Sequence, residues 1–202
     1  MQPLGTFRFD EFLAATAAKS PTPGGGAVAA ATGATAAALA GMVVAYSLGK
    51  KDLVQHESAL QEAKRHLERA RAVFLELAAE DAEAYAWLNG LQKLPENDAK
   101  RVAEFGTAVS ACIQAPMATL AAAVDIARLC ETLCPITNKW LRSDLHIAAI
   151  LADAAARASL CNVRINTPLI TDAIARTKLE EQATRLASEA ARLTLDVQTR
   201  CA

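Results

Sequence analysis

The sequence predicts an all-α protein, a bundle of about six helices that spans residues 1–202 as a single domain. Apolar residues recur at three- and four-residue intervals, and no segment sustains the alternation that is typical of a strand. The composition is 52% hydrophobic but only 4% aromatic, and alanine supplies much of the apolar content. Alanine favours helices that approach each other closely and is a poor strand former.

The six helices are predicted from these intervals and from the residues that break them. The predicted segments are 7–19, 25–48, 51–90, 95–133, 140–165 and 169–200. A Pro- and Gly-rich break (SPTPGGG) ends the first, Asn89-Gly90 ends the third, and Pro168 stops the fifth. Pro116 lies inside the fourth and is expected to kink or split it, because proline removes one helical hydrogen bond.

The second helix is predicted to be a long central one. Gly33, Ala37, Gly41 and Ala45 recur every four residues, so a second helix can approach this stripe closely. No charged residue occurs from Ser20 to Gly49, which is long enough to span a bilayer. Strongly inserting side chains are few in this segment, so burial in a bundle is the favoured interpretation and no membrane partner is expected.

The third helix contains a heptad pattern with one exception. Its apolar seam has Leu60, Leu67, Phe74 and Leu88 at seven-residue spacing, and Asp81 stands where a Leu or Phe is expected. A carboxylate that faces a core needs a partner or a raised pKa. Tyr85 follows one turn later and is placed to hydrogen-bond Asp81 or a ligand. The pattern leaves two readings open, a functional carboxylate and a surface residue reached by register drift.

The fifth helix has polar residues at both ends of an apolar row. Asp144 and Asn162 are 18 residues apart, hence about 27 Å along a helix, so both cannot touch one reacting atom from the same chain. Asn138 and Ser143 precede or begin this helix, and capping its start is an alternative role for either.

The segment PTPGGG is a candidate binding loop at the start of the second helix. Pro23 fixes an extended approach, and Gly24, Gly25 and Gly26 leave free N–H groups beside the positive end of the helix dipole. A tight turn under a packed helix is the alternative. At the other end of the helix, Lys50 and Lys51 form a basic pair, which is either a ligand contact or a solvated complement to the dipole.

Charge and cysteine usage exclude several classes of protein. A net charge of −1 with a pI near 6.3 argues against nucleic acid as the main partner. The first residues have no apolar leader segment, and five cysteines are an odd number, so a cytoplasmic protein with reduced thiols is expected. The spacing of the cysteines and three histidines completes no metal site, and no metal is predicted.

The ordered set of motifs resembles a known family over about residues 7–199. FDEFL, PTPGGG, GKK, EDAEAY, the Pro116 region, NKWLRSDL and NVRIN resemble the cyclodeaminase domain of formiminotransferase-cyclodeaminase. They resemble equally the stand-alone methenyltetrahydrofolate cyclohydrolase. The resemblance implies an all-helical homodimer with a folate site in a cleft, and no cofactor besides the folate substrate.

The resemblance also assigns roles to residues. It places the family's essential aspartate at Asp81. The matching positions for substrate contacts are the glycine run Gly24–Gly26, the basic pair Lys50 and Lys51, the segment with Asn138, Ser143 and Asp144, and the segment with Asn162 and Asn166. Two positions depart from the family pattern: Ala27 replaces a usual Ser, and Thr137 replaces a frequent Gly.

The expected function is folate one-carbon chemistry. A cyclohydrolase adds water to the methenyl bridge and gives 10-formyltetrahydrofolate. The alternative is a formiminotetrahydrofolate cyclodeaminase, which closes the bridge and releases ammonia. A more remote alternative is a helical dimer that binds folate or scaffolds another enzyme without turnover. Asp81 is the predicted acid or base, and Asp144 is the second candidate for that role.

Overall fold

The computed structural model describes residues 8–201 and contains six α-helices, with no strand in that range. The prediction of an all-α fold with six helices is therefore confirmed. The helices are α1 (Phe9–Ala17), α2 (Gly25–Ala45), α3 (Glu57–Gln92), α4 (Ala99–Leu133), α5 (Arg142–Asn166) and α6 (Ala173–Cys201). Short 3₁₀ turns cover Lys51–His56, Lys139–Leu141 and Thr167–Leu169.

Four helices form a ring around the main core. Helix α2 packs on α3 and α5, and α4 packs on the same two helices from the opposite side. Helix α6 covers the groove between α4 and α5. Helix α2 is thus one wall of the ring, with an inner side buried in the core and an outer side that includes exposed Thr35 and Ala38.

The heptad seam of α3 lies in the core as predicted. Leu60, Leu67, Phe74 and Leu88 are all buried. Phe74 packs directly on Gly33 of α2, where a Cβ would overlap its ring. This contact explains the small-residue stripe of α2, because a larger residue would push the two helices apart.

The helix ends differ from the predicted ones at several points. Helix α2 ends at Ala45 instead of 48, and the chain then turns through Gly49, whose φ is +72°. The segment predicted as the start of the third helix is a 3₁₀ turn, and α3 begins at Glu57. Phe7, at the predicted start of the first helix, lies outside the described residues.

Of the two predicted effects of Pro116 on α4, a kink or a split, the split does not occur. The helix runs through Pro116, which is buried. Because proline has no N–H, the carbonyl of Cys112, one turn earlier, lacks its usual helical donor. The side chain of Asn166 supplies the missing donor, with Nδ2 lying 3.1 Å from the Cys112 oxygen. The hydrogen bond from the Asn166 side chain therefore replaces the backbone hydrogen bond that Pro116 removes.

Helices α2 and α4 are both long and apolar enough to cross a membrane by length and composition. In each, 56% of the most apolar window is buried inside the protein. More than half of each window is thus packed within the bundle.

Candidate functional site

The candidate site is centred on Asp81, whose carboxylate lies against the backbone of Gly26. A Cβ added to Gly26 would overlap both carboxylate oxygens. Only glycine permits this approach, because any side chain would occupy the space of the carboxylate. The start of α2 therefore contacts α3 directly at the acidic side chain of Asp81.

Asp81 is partly buried and has no cation beside it. No ion pair joins it to any residue within 8–201. Burial raises the pKa of its carboxyl above the ordinary value for aspartate, because removal from water disfavours the charged form. A carboxyl that gains and loses a proton closer to neutral pH is suited to proton transfer.

Asn162 of α5 reaches the same place. A Cβ on Gly25 would lie 3.3 Å from its Oδ1, so the amide faces the start of α2. Asn166, one turn later, donates from Nδ2 to the carbonyl oxygens of Asn162 and Cys112, at 3.0 and 3.1 Å. Asn166 therefore has a structural role, because it ties the end of α5 to α4 and fixes the backbone that carries Asn162.

Cys112 is a member of this site that the sequence did not indicate. Burial and, to a smaller extent, the negative charge of Asp81 together raise the pKa of its thiol to about 11. The thiol is therefore neutral at physiological pH, and it lines the site near the carboxylate as a polarisable, weakly polar group. Nothing in the sequence separated Cys112 from the other four cysteines.

The glycine run opens α2 without a side-chain cap. Gly24 is the N-cap residue, and no side chain of the described part of the chain bonds the first N–H groups of the helix. Pro23, just before it, is buried and anchors the loop. Uncapped N–H groups at the positive end of a long helix favour an anion or a carbonyl oxygen.

Tyr85 lies one turn after Asp81 on α3 and is 47% exposed. No hydrogen bond joins its hydroxyl to Asp81 in the described part of the chain. The predicted bond between the two side chains is therefore absent from this structure, and contact of Tyr85 with a ligand stays a prediction.

The remaining predicted residues form a second group at the opposite end of α2. Lys50 and Lys51 follow its C-terminal end. The backbone N–H of Asn138 donates to Oγ of Ser47, 2.8 Å away, which fixes the segment before α5 beside the same end. The Asn138 side chain caps the short 3₁₀ turn by accepting from the Trp140 N–H at 3.2 Å. Asn138 thus caps this turn and not α5 itself, whose N-cap residue is Leu141.

Ser143 and Asp144 occupy the first turn of α5, close in sequence to Asn138. Ser143 is exposed and Asp144 is partly buried. Since α5 is one uninterrupted helix of 25 residues, Asp144 and Asn162 lie at its two ends. The predicted residues therefore form two groups, one at each end of the paired helices α2 and α5, and one chain does not bring them together.

A second carboxylate with a raised pKa, Asp153, lies in the middle of α5. Burial raises the pKa of its carboxyl, and the ion pair with Arg157, with 3.0 Å between Nε and Oδ2, opposes that shift. Its Oδ1 is buried and has no hydrogen-bond partner among the residues that the structure describes. Because a cation on its own helix pairs with it, we assign Asp153 to the structure of α5.

Within residues 8–201, no group of three or more His, Cys, Asp or Glu side chains is arranged to hold a metal ion. The expectation that the protein needs no metal or cofactor stays a prediction.

Comparison with known proteins gives consistent matches over nearly the whole chain. The family model described as formiminotransferase-cyclodeaminase matches residues 8–185. The chain is 32% identical over 182 residues to methenyltetrahydrofolate cyclohydrolase of Methylorubrum extorquens, covering 88% of each protein. It is 28% identical over 193 residues to formimidoyltransferase-cyclodeaminase of Gallus gallus, and it spans only 35% of that longer protein.

A solved structure has the same fold. The crystal structure of formiminotetrahydrofolate cyclodeaminase from Thermotoga maritima superposes with a TM-score of 0.90 at 30% sequence identity. The match covers 97% of this chain and 96% of that one.

Proposed function

The chain belongs to the formiminotransferase-cyclodeaminase family, and we propose that it is a methenyltetrahydrofolate cyclohydrolase that opens the methenyl bridge to 10-formyltetrahydrofolate. One observation carries the proposal: the carboxylate of Asp81 is partly buried, has no ion-pair partner among residues 8–201 and lies against Gly26 at the start of α2. The relative from Methylorubrum extorquens, which is similar over 88% of both lengths, is named for this reaction.

The reaction requires a proton acceptor and then a proton donor at one carbon. Water oxygen bonds to the bridging carbon, and ionised Asp81 accepts a proton from that water. Asp81 then delivers the proton to N5 of the folate as the carbon–N5 bond breaks. The hydroxyl proton leaves to solvent as the formyl carbonyl forms on N10. Water is consumed and one proton is released, which balances the loss of the cationic bridge.

The substrate itself adjusts the charge of Asp81. The methenyl bridge is a cationic amidinium, and an adjacent positive charge favours the ionised form of a carboxyl. Binding therefore opposes the effect of burial and makes the acceptor available when it is needed. The ionised carboxylate also stabilises the cation in a partly dehydrated site, where such an interaction is stronger than in water.

A second candidate is formiminotetrahydrofolate cyclodeaminase, which the solved structure from Thermotoga maritima is named for. In that reaction N10 attacks the formimino carbon and the N10 proton passes to the imine nitrogen, which becomes an amine. Protonation of this amine then lets the tetrahedral carbon expel ammonia and form the cationic methenyl bridge. The protonated form of Asp81, favoured by burial, is the donor that the leaving amine requires.

The purified chain is to be assayed spectrophotometrically with methenyltetrahydrofolate and with 5-formiminotetrahydrofolate. We expect hydrolysis of the methenyl substrate to be the faster reaction. Faster ammonia release from the formimino substrate would assign the second function. No turnover of either folate would leave the non-catalytic folate-binding dimer as the function.

The proposal includes three further properties of the protein. It acts as a homodimer, it needs no metal or cofactor besides the folate, and it works in the cytoplasm. The last is consistent with five cysteines that are all free thiols.

A further inference from the structure

Two thiols are in contact where the ends of α4 and α6 pack together. Cys134 is the C-cap residue of α4, and Cys201 is the last described residue of α6. Their Sγ atoms are 3.6 Å apart, although the two residues are 67 positions apart in the sequence. Within residues 8–201, no other two sulfur atoms are within hydrogen-bond distance of each other. The pair is separate from the candidate site, where Cys112 is the cysteine near Asp81.

An ion pair holds the same two helix ends together. Nη2 of Arg200, the neighbour of Cys201, lies 3.1 Å from Oε1 of Glu131, which is three residues before Cys134. The Glu131 side chain is only 20% exposed, so this pair is less screened by water than one on the open surface. The two thiols are therefore kept in contact by an interaction that does not depend on the sulfur atoms.

The two thiols differ in their access to solvent. Cys134 is buried in the main core, and Cys201 is partly exposed. Burial and, to a smaller extent, the hydrogen bond with Cys201 raise the pKa of the Cys134 thiol, so it is uncharged at physiological pH. A dissolved oxidant therefore reaches Cys201 first. An accessible thiol with a second thiol beside it is the usual arrangement of a redox-sensitive cysteine.

Only a small movement separates the contact from a covalent bond. A disulfide has its sulfur atoms about 2.05 Å apart, so the two Sγ atoms must approach by about 1.5 Å. Both residues lie at helix ends, where the last turn adjusts more readily than the interior of a helix. Cys130, one turn before Cys134, is completely buried, and its carbonyl oxygen accepts a hydrogen bond from Sγ of Cys134 at 3.3 Å. Cys134 is thus the thiol of α4 that faces Cys201.

We propose that Cys134 and Cys201 form a site of reversible oxidation, at which hydrogen peroxide converts the two thiols to a disulfide that joins α4 to α6. The Cys201 sulfur attacks one peroxide oxygen, the O–O bond breaks, and the products are water and a sulfenic acid on Cys201. The Cys134 sulfur then attacks the Cys201 sulfur. The S–S bond forms as the S–O bond breaks, and the hydroxide leaves with the Cys134 proton as a second water. Two electrons pass from the two sulfur atoms to the peroxide.

The disulfide would enclose α5 and nearly all of α6 in one covalent loop. A cross-link between distant residues limits the conformations of the unfolded chain and so stabilises the folded one. We expect the oxidised protein to unfold at a higher temperature, and a thiol reductant should return it to the initial state. This property goes beyond the proposed function and does not depend on turnover of a folate.

Thiol counting and peptide mapping test the bond directly. The full chain carries Cys161→Ser, because that exposed cysteine of α5 could link two chains. The protein is treated with a small molar excess of hydrogen peroxide, quenched with catalase and unfolded. We expect two of the four remaining thiols to be lost, the mass to fall by that of two hydrogen atoms, and one peptide pair to join Cys134 to Cys201. Retention of all four thiols, or a disulfide that involves Cys130 or two chains, would overturn the proposal.

Two further variants in the Cys161→Ser background separate the two thiols. Cys201→Ser changes a partly exposed residue and so should fold; peroxide should leave all three of its thiols free. Cys134→Ala removes the second thiol, so Cys201 should gain oxygen and stop at the sulfenic or sulfinic acid. Oxygen addition to Cys201 with Cys134 still present, and without a disulfide, would show that the thiols do not react with each other and would overturn the proposal.

Thermal unfolding tests whether the bond fits the native fold. The Tm of the Cys161→Ser protein should rise after peroxide treatment and return to its initial value after dithiothreitol. Peroxide should not raise the Tm of the matched Cys161→Ser/Cys201→Ser protein. An oxidised Tm equal to or below the reduced one would show that the bond distorts the packing of α4 and α6, and it would overturn the proposal. These measurements use no folate, so a chain inactive on both folates would refute the proposed function and leave this inference standing.

Discussion

Asp81 and Phe74 occupy equivalent positions on α3, each packed directly on a glycine of α2. The two side chains are seven residues apart, and so are their partners Gly26 and Gly33. At either glycine a Cβ would overlap the side chain that packs on it. The packing that buries an aromatic ring in the core thus also holds a carboxylate in place at the edge of the core.

Replacement of Asp81 by Asn is expected to abolish most of the activity. The amide keeps the shape of the side chain but cannot accept or deliver the proton. We therefore expect kcat to fall roughly 10²-fold or more, the usual scale for a lost general acid or base. Steady-state kinetics on both folates measure the effect. Glu83→Gln, an exposed carboxylate on the same helix, is the control and should keep wild-type kcat. Near-normal turnover of Asp81→Asn would transfer the role to Asp144.

The same variant should unfold less readily than the wild type at neutral pH. Because the folded-state pKa of Asp81 is raised, the folded protein binds more protons than the unfolded chain above the ordinary aspartate pKa of 3.8. The stability contributed by protonated Asp81 is therefore lost as the pH rises through the folded pKa. We expect the Tm of Asp81→Asn to exceed that of the wild type at pH 7, with the difference shrinking towards pH 4. A constant difference across this range would contradict the assigned pKa shift.

Gly26→Ala should damage the site through the side chain that packs on it. The added methyl overlaps the Asp81 carboxylate, and overpacking of this kind costs about 1–3 kcal/mol. We expect lower kcat and a lower Tm. In an Asp81→Ala background the loss of Tm should be smaller, because the overlapping group is gone. Gly106→Ala is the control: open space surrounds that helical glycine, so the change should stabilise the protein by about 0.5–1 kcal/mol.

Replacement of both Lys50 and Lys51 by Ala should weaken the binding of long substrates. If the basic pair binds the glutamate tail, KM should rise more for polyglutamated than for monoglutamated folate, and kcat should change little. Kinetics with the two forms of the substrate measure this difference. Equal increases of KM would assign the lysines to the pterin end or to the structure of the turn after α2.

Asn166 and Pro116 should show coupled effects on stability. Asn166→Ala removes the donor that satisfies the Cys112 carbonyl, and it should lower the free energy of unfolding by about 1–3 kcal/mol. Pro116→Ala restores a backbone N–H one turn after Cys112. In that background the cost of Asn166→Ala should be smaller by about 1 kcal/mol. Denaturant unfolding of the wild type, the two single variants and the double variant tests the coupling. Replacement of exposed Asn97 by Ala is the control. Additive effects would show that the carbonyl has another donor.

The local patterns predicted the parts of the fold that depend on side-chain periodicity. The seam of Leu60, Leu67, Phe74 and Leu88 indicated the buried side of α3, and the interruption of that seam singled out Asp81. Periodicity is a property of a single helix, so the sequence is sufficient to read it. The ends of the helices were less certain because turns such as Lys51–His56 depend on the packing around them.

The prediction at Pro116 left a kink and a split both open because it considered only the backbone of one helix. Proline removes a hydrogen bond locally, but the donor that replaces it comes from Asn166, 50 residues later in the chain. The position of Cys112 in the site was also not predictable, because it too depends on contacts between different helices. Its thiol has no periodic signal, and only the packing of α4 against α3 brings it near Asp81.

By itself, the sequence determined the helical class, the buried seam of α3 and a set of candidate site residues, because these follow from residue type and spacing. Only the tertiary structure decided which of those residues meet. It brings Asp81, Gly26 and Asn162 to one end of α2 and leaves Lys50, Lys51 and Asn138 at the other. The reason is geometric: the antiparallel packing of α2 between α3 and α5 fixes their relative positions, and no local pattern encodes the distance across a long helix.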